Sequence, residues 1–201
     1  MKTFIIILFI IVGISFLFQT YITMAADQSD CQPYKVIKVE KEFEIRFYPS
    51  ATMASITSTS KTYKELGSCG FRKLAGYIFG DNEANTEIAM TAPVYMDIND
   101  LASTMSFVMP IGYNQHNLPK PNDTDIAFST TTDKYVAAIR FDGYADDEKI
   151  KEYTQQLETA LKASSIPYFG RFKFLGYNAP YQFFGRKNEI IVNVMWENIL
   201  N

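Results

Sequence analysis

The side chains able to carry chemistry are few, and their spacing is as informative as their type. A single histidine, His116, serves a chain of 201 residues. Any mechanism that needs two histidines within one chain is excluded, His-rich metal sites included. A Ser-His-Asp triad would have to use His116, which lies among Pro110, Asn114, Asn117 and Pro119. A loop of that composition holds a base poorly. Asp146, Asp147 and Glu148 precede a helical apolar pattern and read as helix-start charges rather than an acid/base pair. No Cys/His spacing fits a structural metal site. What stands out is apolar: Tyr181-Gln182-Phe183-Phe184, close to Arg186 and Lys187, is unusually aromatic for a loop. Such a cluster, when exposed, marks a contact surface. Binding is therefore expected, and an enzyme is not.

The elements that must position these residues follow from periodicity. Tyr34–Val39 alternates weakly and Phe43–Tyr48 cleanly, with Phe43, Ile45 and Phe47 on one face. Thr52–Thr57 is a third strand. Thr62-Tyr63-Lys64-Glu65 matches a capping box. A helix then runs to about Phe79, with Tyr63, Leu66, Gly70, Leu74 and Tyr77/Ile78 on one stripe. Gly67 and Gly70 each cost up to ~1 kcal/mol of helix propensity. They fit a helix that something approaches closely, either a sheet strand or a flat ligand. Ile88–Ile98, carrying Pro93, and Thr104–Met109 are the next strands. Pro93 lacks a ladder donor and belongs at an edge, bulge or strand end. After the Pro/Asn/Gly-rich loop from Pro110 to Asp125, Ile126–Thr131 and Lys134–Phe141 are strands. A second helix has Ile150, Tyr153, Leu157 and Ala160/Leu161 on its buried stripe. Arg171–Tyr177 and Glu189–Met195 close the domain. Each half thus carries strand, helix, strand, strand, an expected α+β architecture of a curled sheet with two helices on one side.

Composition bounds the setting. The formal charge is -3, and no Lys/Arg stripe with interleaved aromatics is present, so no nucleic-acid partner is expected. Residues 1–25 read as a secretory signal peptide: Lys2, the apolar run Phe4–Phe18, and small residues at Ala25 and Ala26. The competing reading is an uncleaved anchor, but the run is shorter than the ~20 residues of a usual span. Secretion, with no stable membrane insertion after cleavage, is the expectation. Residues 26–33 form a polar linker and residues 34–198 the domain. Cys31 and Cys69 would be able to pair in an oxidising compartment, and a disulfide is expected; two separate thiols are the alternative. Asn122-Asp123-Thr124 is the one glycosylation sequon.

Gly70-Phe71-Arg72-Lys73-Leu74, Tyr77-Ile78-Phe79-Gly80 and Met90-Thr91-Ala92-Pro93-Val94 together resemble the signature of the SOUL haem-binding proteins. Tyr34 with Glu44-Ile45-Arg46-Phe47-Tyr48 resembles the family's opening. Phe141-Asp142-Gly143-Tyr144 resembles its central motif. Gly176-Tyr177-Asn178-Ala179-Pro180 with Gly185-Arg186-Lys187-Asn188-Glu189 resembles its close. The resemblance implies a distorted β-barrel of two βαββ repeats with two amphipathic helices. It also implies a secreted, non-enzymatic binder of haem or another tetrapyrrole. The apolar cleft implied lies beside the first helix, at Leu66, Gly70, Phe71, Leu74 and Tyr77, and near the last loop, at Tyr181, Phe183, Phe184 and Arg186.

This chain departs from some members of that family. Phe47 stands where a histidine can ligate iron, and Gln182 and Gly76 stand where basic residues occur. Cations near the implied cleft are Arg72, Lys73, Arg186 and Lys187. Axial ligation would fall to Tyr, Met or an open position. A protein-interaction module with no small ligand is the alternative function.

Overall fold

The computed structural model describes residues 7, 10, 12–14, 31–179 and 182–196. The expected signal peptide and linker lie largely outside the described residues, as does Tyr181. Among the described residues, no helix is long and apolar enough to cross a membrane.

Nine strands of the described residues make one antiparallel sheet. In chain order they are β1 (Lys35–Val39), β2 (Glu44–Tyr48), β3 (Thr52–Ser58), β4 (Val94–Asp97), β5 (Ser103–Val108), β6 (Ile126–Thr130), β7 (Lys134–Asp142), β8 (Tyr168–Gly176) and β9 (Lys187–Val194). Helix α1 (Tyr63–Ile78) joins β3 to β4, and α2 (Asp147–Ala163) joins β7 to β8. The order across the sheet is β1-β2-β7-β9-β8-β4-β5-β3-β6. The sequences β3-α1-β4-β5 and β7-α2-β8-β9 therefore enter it as mirror-ordered triplets, meeting where β4 pairs with β8.

The expected barrel does not close: the outermost strands β1 and β6 do not pair with each other. The sheet is nevertheless forced to curl. Only residues 49–51 join β2 to β3, and only residues 131–133 join β6 to β7, although these strands lie far apart in the sheet. Links of three residues span at most about 11 Å, so the two sides must approach. Hydrogen bonds between the two links fasten them: Ser50 N donates to Asp133 Oδ1 at 2.7 Å and Ala51 N to Thr131 Oγ1 at 3.0 Å.

Both helices bury their stripes in one cluster on the outer sheet face. Leu66 and Leu74 of α1 join Leu157 and Leu161 of α2 there. Helix α1 starts as its sequence dictates, with Thr62 Oγ1 accepting from Glu65 N at 3.2 Å. The Glu65 carboxylate reaches back one residue further than a capping box requires, to Lys61 N at 3.1 Å. Gly80 follows the helix at φ +107, a conformation that suits glycine. Thr62→Ala is expected to remove about 1 kcal/mol of stability, measured as a lower urea midpoint at unchanged slope.

One strand assignment needs correction. Ile88–Ile98 is not a continuous strand; only Val94–Asp97 pairs. Upstream of Pro93 the chain makes isolated bridges, Phe79 with Glu87 and Cys31 with Ala92. Apolar content predicted a strand there, but Pro93 cannot donate to a ladder.

The inner face of the curl holds a second cluster, including Tyr48, Tyr95, Leu175 and Ile191. Beside it lies a buried ion pair. Arg46 Nη1 donates to Glu189 Oε2 at 2.8 Å and Nη2 to Oε1 at 3.1 Å. Arg46 Nε donates to Glu44, Tyr177 Oη donates to Glu189, and the Tyr34 ring lies 4.4 Å from the guanidinium.

Candidate ligand-binding cleft

A cavity of about 240 Å³ opens between α1, the segment before α2, and the β8–β9 connection. One wall is α1, through Tyr63, Gly67 and Phe71. The floor is Met96 of β4, Met105 of β5 and Phe174 of β8. The far wall is Tyr144, Asn178 and Arg186. The 3.6-residue period puts Tyr63, Gly67 and Phe71 in one row, flanking the buried row of Leu66, Gly70 and Leu74. Tyr63 meets Phe174 edge-on with ring centroids 5.2 Å apart, and Phe71 meets Phe107 at 5.5 Å. These contacts fix the aromatic walls before any ligand arrives.

Arg186 is the cation of the site. Its Nη1 donates to Ala179 O at 2.9 Å and Gln182 O at 2.7 Å, and its guanidinium carbon lies 4.9 Å from the Tyr144 ring centroid. Among the described residues its Nε is buried without a partner. So is Gln182 Oε1, although Gln182 Nε2 donates to Phe184 O at 3.0 Å. An unpartnered buried donor costs about 1–3 kcal/mol, more for a charged group, so the loop carries an unmet demand for an acceptor. Burial raises the Tyr63 phenol, opposed by the charge of Arg186 and reinforced by Asp147. Tyr63 therefore stays protonated at the cleft wall.

The sequence-predicted residues divide. Phe71 and Arg186 line the cleft. Leu66, Leu74 and Tyr77 do not; they are buried in the outer core, and Gly70 is buried beneath β5. Tyr77 Oη donates to Pro119 O at 2.9 Å instead. Phe183 and Phe184 are 56% and 69% exposed and do not line the cavity. His116 is exposed and also absent from its walls. Phe47 packs against Tyr135, with ring centroids 5.3 Å apart. The sequence does not mark Tyr63, Tyr144 and Asn178 as cleft residues, although Tyr144 and Asn178 lie inside motifs that resemble the SOUL signature.

The expected disulfide is absent. Cys31 and Cys69 are both exposed thiols. Different neighbours hold them: Cys31 bridges to Ala92, while Cys69 Sγ lies 3.5 Å from Ser60 Oγ. Sequence spacing gives the size of a loop, not the approach of its ends.

The SOUL heme-binding protein family model matches residues 29–193. The chain belongs to this family. It is 30% identical over 156 residues to heme-binding protein 2 of Mus musculus, covering 74% of this chain and 76% of that one. It is 27% identical over 165 residues to heme-binding protein 1 of Xenopus laevis, covering 77% and 86%. Among solved structures, the EcmrR C-terminal domain matches with TM-score 0.60 at 9% identity, covering 82% of this chain and 99% of that one. A hydrolase from Listeria innocua matches with TM-score 0.57 at 6% identity, covering 79% and 94%. At these identities the likeness is one of fold alone.

Within this SOUL chain the signature motifs serve two different places. Phe71, Tyr144, Asn178, Arg186 and Asn188 surround the cleft. Tyr34, Glu44, Arg46, Tyr177 and Glu189 converge instead on the buried ion pair of the inner face.

Proposed function

We propose that this chain binds haem or a related tetrapyrrole non-covalently in the cleft beside α1, and catalyses no reaction on it. Family membership and the names of the relatives support haem as the ligand class. The observation that carries the reading to this cleft is the conjunction of preset aromatic walls with Arg186. A tetrapyrrole is a flat apolar disc with carboxylates, and it needs aromatic faces and a cation at the rim. Tyr63, Phe71, Phe174 and Tyr144 supply the faces. A ring carboxylate would pair with the Arg186 guanidinium, which has no carboxylate partner among the described residues.

The cavity is smaller than the ~300–1,000 Å³ of a typical small-molecule site. Only one edge of the ring would be enclosed, and the exposed rings of Phe183 and Phe184 on the neighbouring loop would be available to the remainder. Met96 and Met105 lie in the floor, so their thioethers would be the soft donors available to an iron held there. The porphyrin ring, when haem is bound, would supply the Soret band that reports occupancy, and the iron's ligation would set its position. The protein's own part is to orient the ring edge, exclude water from it and neutralise a carboxylate.

Haemin titration followed at the Soret band tests this. Wild-type protein is expected to give a saturable change of high-spin type. Arg186→Met is expected to weaken it about 10- to 100-fold, the loss of a charged hydrogen bond of ~1.5–3 kcal/mol. Phe184→Ala is expected to weaken it less, and His116→Ala to leave it unchanged. Loss of the change in His116→Ala, with Arg186→Met unaffected, would move the site to the long loop.

A second reading is a protein-interaction surface at Phe183 and Phe184, favoured by their exposure. Recovery of the native protein with a protein partner and without pigment would support it. Secretion belongs to the same proposal: protein recovered from the medium should begin at Ala26. Asn122 is exposed, so that product should also carry any glycan added at the sequon.

A further inference from the structure

The inner face of the curled sheet contains a second, polar cavity of about 210 Å³, on the side of the sheet away from both helices. It holds the volume of about seven waters. Its walls bring Lys134 from the start of β7 and Lys173 from β8 to one space, although these strands are not adjacent in the sheet. Among the described residues neither lysine makes an ion pair, while other lysines of the chain do. Lys134 Nζ lies 5.5 Å from the centroid of the Tyr95 ring, which cannot neutralise it. Ser55 and Ser106 face the same space, bonded to each other at 2.7 Å, and further hydroxyls of β5 and β6 complete the lining. The one carboxylate in the lining is Asp97; among the described residues its buried Oδ1 has no hydrogen-bond partner, and Arg171 Nη1, 3.6 Å away, offsets its charge in part.

Two half-buried ammonium groups without counterions, ringed by hydroxyl donors, are a binding set for a compact anion. A large or apolar ligand fits neither the volume nor the lining. Burial and the charge of Lys173 pull the Lys134 ammonium down to about 8. That is the direction expected where a cation lacks its anion. We propose that this cavity is an oxyanion site, taking phosphate or a small phosphomonoester between Lys134 and Lys173. It is independent of the tetrapyrrole cleft, which lies on the other face of the sheet.

The pH dependence follows from the groups facing Lys134. Lys173 repels it, Asp97 attracts it weakly from its pair with Arg171, and burial keeps the Tyr95 phenol protonated and neutral. Raising the pH from 7 to 9 removes the Lys134 proton, so the affinity for sulfate, whose own charge is constant over that range, should fall about tenfold. Bound anion should in turn raise the Lys134 pKa.

The test uses the mature protein with sodium phosphate, glycerol 3-phosphate, sulfate and chloride at matched ionic strength. The thermal midpoint is read together with the NMR titration of the Lys134 side chain. Phosphate or sulfate is expected to raise the midpoint saturably, and chloride not to. A stronger response to glycerol 3-phosphate than to phosphate would assign the ester as the source. Lys134→Met and Lys173→Met are each expected to weaken phosphate binding at least tenfold, and Lys134→Arg to retain most of it. The wild-type Lys134 titration, raised by phosphate, decides the matter even if a variant fails to fold. Lys134 titrating in the ordinary lysine range and unmoved by phosphate would overturn the proposal. So would a phosphate response that survives in both methionine variants.

Discussion

Glu189→Ala is expected to lower the free energy of unfolding by about 3–5 kcal/mol, seen as a large drop in the denaturant midpoint. Glu189 is fully buried in β9, and it accepts both Arg46 bonds and the Tyr177 hydroxyl. Removing the carboxylate leaves the Arg46 guanidinium, 4% exposed, with only Glu44. Because Glu44 remains, the loss should fall toward the lower end of that range. The double variant Arg46→Met/Glu189→Leu should recover most of the stability, since a buried pair contributes little beyond an apolar replacement of similar size. A loss under 1 kcal/mol in the single variant would mean that water reaches the guanidinium and that the network is not closed.

The same pair sets an acid dependence. Burial acts to raise the Glu189 carboxyl, but the hydrogen bond and charge of Arg46, with Tyr177 and Lys187, outweigh it, and the net shift is downward. A carboxylate held lower in the folded state stabilises fully above its ordinary value of 4.5 and loses that contribution as the pH falls toward the folded value. Acid should therefore destabilise the wild type progressively below about pH 4.5, and the double variant less.

How much of this was legible beforehand depended on the range of the interaction. The α1 stripe, its Thr62 cap and its Gly80 stop are local, and each could be read from spacing. Arg46 and Glu189 are 143 residues apart, and nothing in either segment names the other. The sequence order of strands, helices and strands was readable, but the sheet order was not. Consequently the short links that curl the sheet could be seen, while their effect on Lys134 and Lys173 could not. At the cleft, aromatic content does not say which way a ring faces: Phe183 and Phe184 are largely exposed to solvent. Periodicity places Tyr63 on the buried stripe, because spacing alone does not separate a core position from a cleft wall one turn away.

Gly67 and Gly70 separate those two cases, and the largest expected effect on binding follows from them. A Cβ added at Gly70 would meet Met105 Cβ at 3.2 Å and Sδ at 3.3 Å, and Ile56 Cγ2 at 3.5 Å. That glycine exists for the sheet, and Gly70→Ala is expected to cost stability by overpacking, offset in part by better helix propensity. A Cβ added at Gly67 meets nothing within 4 Å, yet Gly67 lines the cleft. Gly67→Ala should therefore stabilise α1 by up to ~1 kcal/mol while leaving space for a ligand edge. Gly67→Leu should keep the helix and fill the cleft with its side chain, abolishing the haemin-induced Soret change at protein concentrations that saturate the wild type. Folding and binding are thus read separately, by circular dichroism and by the Soret band. A folded Gly67→Leu that binds haemin as the wild type does would remove the cleft from the binding site and leave the exposed Phe183–Phe184 surface as the place where the ring rests.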